Sequence, residues 1–423
     1  MSDAGLAPRR AAVRLLTSVI DEGRQLSELT GGLDTLAPAD RARAQRLATE
    51  TLRHLDRADR ALKPFLKKTP PLAVQNVLRL GVVEMAEMGA ASHGVVNDAV
   101  SLVGANKRTQ SMKGLVNAVL RKVDAAGFDR WHSLPLARLP KWLRAPLSEA
   151  YGEKTIVAME RAHGRGAPLD LTTKDDPDAV AKAVNGTILP TGSVRLHDAG
   201  QVSALPGFEA GDWWVQDAAA ALPVRILAPR KGERVLDMCA APGGKTLQIA
   251  ASGADVVALD ISEKRMERVG ENLRRVGLEA NLVVADALEF EDGPFDAIVL
   301  DAPCSATGTL RRHPDLPYAK DGSAIAGLIE LQGYLLDRAL GLLKPGGRLV
   351  FCTCSLLPDE GECQIDWALE RHPDLIVDQD AVNVPGVDPG WHSSEGGLRL
   401  RPDFWPDAGG MDGFFIAMLR KPA

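Results

Sequence analysis

The chain has 423 residues, of which 45% are hydrophobic and 25% charged; this is length enough for two or three domains and enough apolar surface to exclude disorder as the main state. No run of about 18 uninterrupted apolar residues occurs, which excludes a membrane-spanning helix, and the first residues lack the apolar core and small-residue cleavage site of a secretory signal, so the expected location is the cytoplasm. The charge is uneven: residues 1–150 hold 23 Lys and Arg against 15 Asp and Glu, a net +8, while the whole chain stands at −6, and such a basic stretch fits either a polyanion-binding surface or a set of solvated helical faces.

In chain order, residues 8–125 read as an all-helical bundle of five to seven short helices. Ala12, Leu15, Leu16 and Val19 fall at helical spacing, as do Leu72, Val74, Val77, Leu78, Val82 and Met85. Turn chemistry supplies the breaks: Gly31-Gly32 after the second helix, Pro70-Pro71 before another, Gly89 at its end. Residues 126–150, with Pro135, Pro140 and Pro146 beside Trp131 and Trp142, read as a linker holding one short helix. Residues 151–214 are mixed, with a helix at 177–183 and extended pieces at 187–190 and 193–196, a small α+β module.

From residue 215 the pattern alternates strand and helix, the signature of a mostly parallel sheet covered on both faces. Strands are expected at 234–238, 255–259, 281–285, 295–300 and 348–352. Helices are expected at 245–251, 263–276 and 324–343, the last closed by a turn at Lys344-Pro345-Gly346-Gly347. The tail 413–419 reads as an antiparallel edge strand.

The run Val235–Thr246 is strand, glycine turn, helix. Its glycines allow a ligand close to the backbone, and the helix start offers free N–H groups. The run is neither a dinucleotide fingerprint nor a Walker loop. Asp260 closes the next strand, 23 residues after Asp237, where a carboxylate can grip ribose hydroxyls. Asp286 closes the third strand and could face an adenine amine. Aspartates at strand ends also cap helices, but three in succession favour a ribose with a cationic or neutral tail, hence S-adenosylmethionine rather than NAD.

Five cysteines, an odd number without a C-x-x-C pair, exclude a disulfide framework and a zinc ribbon. Cys239, Cys352 and Cys363 read as small buried hydrophobes. Cys304, in Asp301-Ala302-Pro303-Cys304, and Cys354, in Cys352-Thr353-Cys354-Ser355, each follow a strand, so both should face the crevice at the carboxyl ends of the sheet. A thiolate beside a methyl donor suits pyrimidine chemistry. Addition of sulfur to carbon 6 makes carbon 5 nucleophilic, and a base must then remove the carbon 5 proton before the sulfur leaves. The site must favour a thiolate, for which Lys245 is a candidate neighbour, and Asp301 could bond the ring nitrogen or exocyclic amine of the base.

These motifs resemble the Nol/Nop/Sun family of RNA cytosine-5 methyltransferases, and within it the bacterial RsmB (Sun, Fmu) branch. The resemblance lies in DMCAAPGGKT (237–246), ALDIS with Asp260, VADA with Asp286, DAPCSATGTLRRHPD (301–315), CTCSLLPDEGE (352–362), GDWWVQDAAA (211–220) and the terminal MDGFF. HGVVNDAVSL (93–102) and KGLVNAVLRKV (113–123) resemble the NusB-like RNA-binding domain that opens RsmB proteins.

The resemblance implies an α/β, Rossmann-like methyltransferase domain at 215–423, an all-α NusB-like bundle at 1–125, a linker at 126–150 and a small α+β RNA-binding module at 151–214. It implies Cys354 as the nucleophile and Cys304 as the cysteine that releases the product, although Pro-Cys is the nucleophile of DNA cytosine methyltransferases and Cys304 competes for that role. It implies Asp301 at the base and at the cofactor. Cys239, Ala240, Ala241, Pro242, Gly243, Gly244, Lys245, Asp260 and Asp286 would hold S-adenosylmethionine. Arg311, Arg312 and His313 would lie near the RNA. The implied substrate is a cytosine of small-subunit rRNA before full assembly, with tRNA or large-subunit rRNA as alternatives and a non-catalytic ribosome-assembly factor as the reading from another class. A monomer without metal or membrane partner is expected, acting on an unstacked nucleotide.

Overall fold

The computed structural model describes residues 5–197 and 199–423, which divide into two compact units. One comprises residues up to Ala145 with Ile156–Gly166 and Leu310–Asp321; the other comprises Pro146–Thr155, Ala167–Thr309 and Gly322–Ala423.

In the first unit the periodic apolar stretches fold as seven α-helices among the described residues up to 126: Leu6–Glu22, Leu26–Leu29, Pro38–Arg53, Leu55–Leu62, Leu72–Ala86, Ser92–Gly104 and Lys113–Ala126. Leu72–Ala86 is the central one. It buries residues on almost every side, Val74, Val77, Leu78, Leu80, Val82 and Val83 among them, as expected of a helix surrounded by others. Its Glu84 pairs with Arg9 at 2.6 Å, both side chains almost fully buried. Such a pair adds little net stability, but removing either partner strands a buried charge at a cost of about 3–5 kcal/mol. The proline-rich stretch after the bundle is packed: Trp131 is buried against Val and Leu side chains of the bundle and its indole N–H donates to Glu87.

The second unit contains two sheets. The smaller has the order β2-β3-β1-β4, with β1 (Leu169–Thr173), β2 (Thr187–Ile188), β3 (Val194–Leu196) and β4 (Trp213–Val215), all neighbours antiparallel. Its helix, Pro177–Val184, is capped by Asp176, close to the expected span. Helix Glu153–Arg165, most of which belongs to the first unit, is not among the elements expected from the sequence. Ile156, Met159 and Ala162 are its buried apolar positions, too few within a polar run to stand out.

The larger sheet has the order β10-β12-β9-β8-β5-β6-β7, with β11 beside β12. The strands are β5 (Arg234–Met238), β6 (Asp255–Asp260), β7 (Asn281–Val284), β8 (Phe295–Asp301), β9 (Leu343–Thr353), β10 (Ile376–Val377), β11 (Leu398–Leu400) and β12 (Phe414–Arg420). β5 to β9 are mutually parallel; β12 lies antiparallel against β9. Side chains alternate as the pleat requires. Leu236, Ile298, Leu300 and Phe351 enter a core with helices Ile325–Leu342 and Glu362–Arg371. Val235, Val299, Val350 and Cys352 enter another with helix Ala218–Leu227.

One expectation is corrected. Lys344–Gly347 is not a turn ahead of the fifth strand but part of β9. Pairing with β8 jumps from Phe295–Leu343 to Ala297–Arg348, so these residues form an irregular bulge, with Gly346 at φ +71° supplying a conformation that favours glycine. Among the described residues, no helix is long and apolar enough to cross a membrane.

Candidate active site

Because β5, β6, β8 and β9 run parallel, their carboxyl ends share one edge, the place where open α/β sheets bind ligands. The turn after β5 is tightly determined. Cys239 adopts a left-handed backbone (φ +65°), the Ala241–Pro242 peptide is cis, and Gly243 sits at φ +103°. A Cβ on Gly243 would stand 3.0 Å from the Val269 side chain, so only glycine lets the turn lie this close to helix Glu263–Val276. Ala240 and Ala241 are buried, Pro242 is exposed, and helix Gly244–Ala251 follows without a side-chain cap, which leaves its first N–H groups available.

Asp260, buried at the end of β6, accepts from the Ala241 N–H at 3.1 Å and from the Ser262 N–H at 3.0 Å, locking the turn to the second strand. Arg265 stands 3.6 Å from it and donates to the Ala241 carbonyl. Asp286 lies exposed beyond β7 and accepts from the Leu288 N–H.

Asp237, wholly buried in β5, accepts from the Thr246 hydroxyl through one oxygen; its Oδ1 has no partner among the described residues. Burial pushes this carboxyl up to about 7, against the Thr246 hydrogen bond and the Lys245 charge. A carboxyl raised above its ordinary 3.8 contributes stability that is complete below the unfolded pKa and is lost as the pH rises through the folded one. Asp237→Asn, neutral at every pH, is therefore expected to gain thermal stability relative to the native chain between about pH 4.5 and about pH 7.5, by several degrees at the upper end. Melting midpoints across that range check it, and a pH-independent difference would contradict it.

Asp301 closes β8. Its Oδ2 receives the Lys245 ammonium at 2.7 Å, and burial, which opposes the Lys245 charge, is outweighed by this carboxylate, so the ammonium is held above its ordinary range. Lys245 thus serves Asp301, not a cysteine thiolate as the sequence suggested. The Cys352 thiol lies 3.5 Å from Asp301 Oδ1; burial and that carboxylate push it well up. Burial, helped by Asp301, Asp260 and Asp237, likewise pushes the Cys239 thiol up to about 12. Both are protonated, as expected of structural cysteines. Cys363 lies at the start of helix Glu362–Arg371 and is partly buried.

Cys304 and Cys354 converge: their sulfurs are 3.4 Å apart. The strands bring them together. β8 and β9 pair through Asp301–Cys352, and the Ala302 N–H to Cys352 carbonyl bond extends that register. The Gly308 N–H then donates to the Cys354 carbonyl at 2.9 Å, closing the loop that carries Cys304 onto the loop that carries Cys354. Gly308 lies so near Gly413 that a Cβ would stand 2.0 Å from its carbonyl oxygen. The hydrogen bond to Cys354, then burial, push the Cys304 thiol well above its ordinary range.

Two features depart from the sequence reading. Arg311 is completely buried, within the first unit, and so is not placed to meet RNA. Glu360, which the sequence offered only as one letter of a motif, is completely buried between the two cysteine loops.

A mixed sheet with an antiparallel strand inserted beside β9, a glycine turn after its first strand and acidic strand ends define a Rossmann-like methyltransferase. Known proteins agree. The family described as 16S rRNA methyltransferase RsmB/F matches residues 224–420, and the NusB family matches residues 6–125. The ribosomal RNA small subunit methyltransferase B of Vibrio cholerae is 36% identical, covering 98% of this chain and 97% of its own length. That of Salmonella arizonae is 35% identical, covering 98% of each. The crystal structure of PH0851 superposes with a TM-score of 0.73 over 97% of this chain and 99% of its own, at 23% identity, a likeness of fold. The chain belongs to the RsmB/F methyltransferase family, with a NusB domain at its start.

S-adenosylmethionine is the cofactor of this enzyme, and the residues fit it. Helix Gly244–Ala251 starts without a side-chain cap, which leaves N–H groups for a ligand, and the Asp237 oxygen without a partner among the described residues and the Asp260 carboxylate at the strand ends supply acceptors suited to a cationic, ribose-bearing molecule.

Proposed function

We propose that this chain methylates carbon 5 of a cytosine in small-subunit (16S) rRNA through a covalent adduct between Cys354 and carbon 6 of the base. The observation that carries the reading is the 3.4 Å approach of the Cys304 and Cys354 sulfurs at the strand edge that holds the glycine turn. Two thiols this close share protons readily. The Cys304 thiol, pushed up by its contact with Cys354 and by burial, keeps its proton and leaves Cys354 as the sulfur that attacks.

The Cys354 thiolate adds to carbon 6, and the electron pair of the 5,6 double bond becomes available at carbon 5. Bound against residues 239–245, Asp260 and Asp286, S-adenosylmethionine supplies an electrophilic methyl group. Once Cys354 is a thioether, its charge and its hydrogen bond no longer raise the Cys304 pKa, so Cys304 gives its proton to solvent more readily and can then take the proton from carbon 5. The electrons of that C–H bond restore the double bond, and the sulfur leaves carbon 6 as thiolate. Asp301, steadied by Lys245, keeps lone pairs for the exocyclic amine of the base, since a carboxylate offers about four acceptor sites.

The basic stretch over residues 1–150, which contains the NusB-like bundle, would hold RNA phosphates around an unstacked target. The matching 16S rRNA methyltransferase family and the small-subunit rRNA methyltransferases among the relatives support 16S rRNA as substrate. Labelled-methyl transfer to unmodified 16S rRNA, 23S rRNA and tRNA, followed by nucleoside analysis, tests it. Label is expected in 5-methylcytidine of 16S rRNA. Transfer to another RNA or another atom, or binding without transfer, would overturn the reading.

A further inference from the structure

The residue that follows each cysteine is a serine, and both serines end on one carboxylate. Glu360 is completely buried. The Ser305 N–H donates to its Oε1 at 2.8 Å and the Gln332 side-chain amide donates to the same oxygen at 3.1 Å. The Ser305 and Ser355 hydroxyls both donate to its Oε2, the second at 2.6 Å. Thr307 completes the knot, its hydroxyl 3.2 Å from that of Ser305 and 3.1 Å from that of Ser355, while accepting from the Leu356 N–H. The main chain is tied as well: the Thr353 hydroxyl donates to the Glu360 carbonyl at 2.7 Å.

From these contacts we propose that Glu360 is the positioning residue of the thiol pair, a buried carboxylate that fastens the loop carrying Cys304 to the loop carrying Cys354 and sets the separation of their sulfurs. The proposal rests on the covalent cytosine chemistry above for its consequence, but not for its geometry. An unpaired carboxylate would not remain buried; here charge-assisted hydrogen bonds compensate it, and every side-chain partner but Gln332 lies on a cysteine-bearing loop. Even Gln332 donates to the Pro303 carbonyl, beside Cys304. The negative charge also opposes ionisation of Cys304, so the same group that sets the distance helps keep the shared proton on the releasing cysteine. Arg399 braces the outer side, pairing with Glu362 and donating to the Ser355 carbonyl.

A residue serving only fold stability would leave the chemistry of correctly folded molecules unchanged; a positioning residue would not. The direct readout is disulfide formation between Cys304 and Cys354 under diamide, which takes one hydrogen from each thiol and is reduced to the hydrazine. Sulfurs 3.4 Å apart need only about 1.4 Å of further approach to reach bonding distance. Glu360→Ala is expected to slow this oxidation and to lower kcat by about 10²-fold, the scale of a 1 Å misplacement, while KM for S-adenosylmethionine stays within about twofold because the glycine turn is untouched. Glu360→Gln, which keeps the shape and one acceptor, is expected to recover part of both rates. If Glu360→Ala does not fold, the Ser305→Ala/Ser355→Ala double variant, which frees both hydroxyl tethers and keeps the carboxylate, is expected to show the same two losses. Folded variants with native oxidation rate and native kcat would overturn the proposal. Wild-type protein that transfers no methyl group would instead defeat the proposed function, and the oxidation rates would still decide the role of Glu360.

Discussion

Cys354→Ser is expected to abolish methyl transfer, with a loss of about 10⁴-fold or more, the scale on which removal of a covalent nucleophile is felt. Addition at carbon 6 needs a sulfur nucleophile, and Cys354 stands at the strand edge with its sulfur 3.4 Å from that of Cys304. A serine hydroxyl in the same place stays protonated at neutral pH: among the described residues Lys245 is committed to Asp301, Glu360 to the two serines, and the neighbouring Cys304 thiol is itself held protonated. The substitution removes one partly buried atom's chemistry without altering the strands, so S-adenosylmethionine binding should persist. Filter-bound labelled RNA measures the transfer, and calorimetry of cofactor binding confirms that the turn is intact. Retained transfer would remove Cys354 from the reaction.

The second large effect is of the opposite kind. Cys304→Ala is expected to accumulate protein bound covalently to RNA, visible as a slowly migrating band on denaturing gels, after one methyl transfer per enzyme. Addition at carbon 6 requires only Cys354, whereas elimination requires a base at carbon 5. With Cys304 gone no other thiol is near: Cys352 is buried and held protonated by its surroundings, and Cys239 likewise. Release is therefore blocked while bond formation continues. The adduct should need S-adenosylmethionine to reach its methylated form and should withstand denaturant. Were the band to form with Cys354→Ser and not with Cys304→Ala, the two roles would be exchanged.

The elements that sequence made legible are those with local periodicity. The glycine turn, Asp260 and the two cysteines belong to strand ends, and a parallel sheet places such ends on one edge whatever the loops do. Hence the convergence of Cys304 and Cys354, 50 residues apart, could be argued in advance. Partners that meet through loops could not. Lys245 looked like a neighbour for a thiolate because it is cationic and nearby in the motif; the helix that carries it aims it at Asp301 instead. Glu360 draws on Ser305, Gln332 and Ser355, a set with no common period. The resemblance implies a segment near the RNA at Arg311, Arg312 and His313, yet the Arg311 side chain is buried. The bulge at Lys344–Gly347 was hidden because Pro-Gly-Gly signals a turn equally well in either setting.

The proposed reaction gives two thiols separate duties at one cytosine. Its most direct test uses the unaltered protein, S-adenosylmethionine and 16S rRNA bearing 5-fluorocytosine, in which carbon 5 has no proton to surrender and release must stall. Mass spectrometry of the digested complex is expected to find a methylated nucleotide attached to the peptide that contains Cys354. A nucleotide on the Cys304 peptide, or no attachment at all, would contradict it.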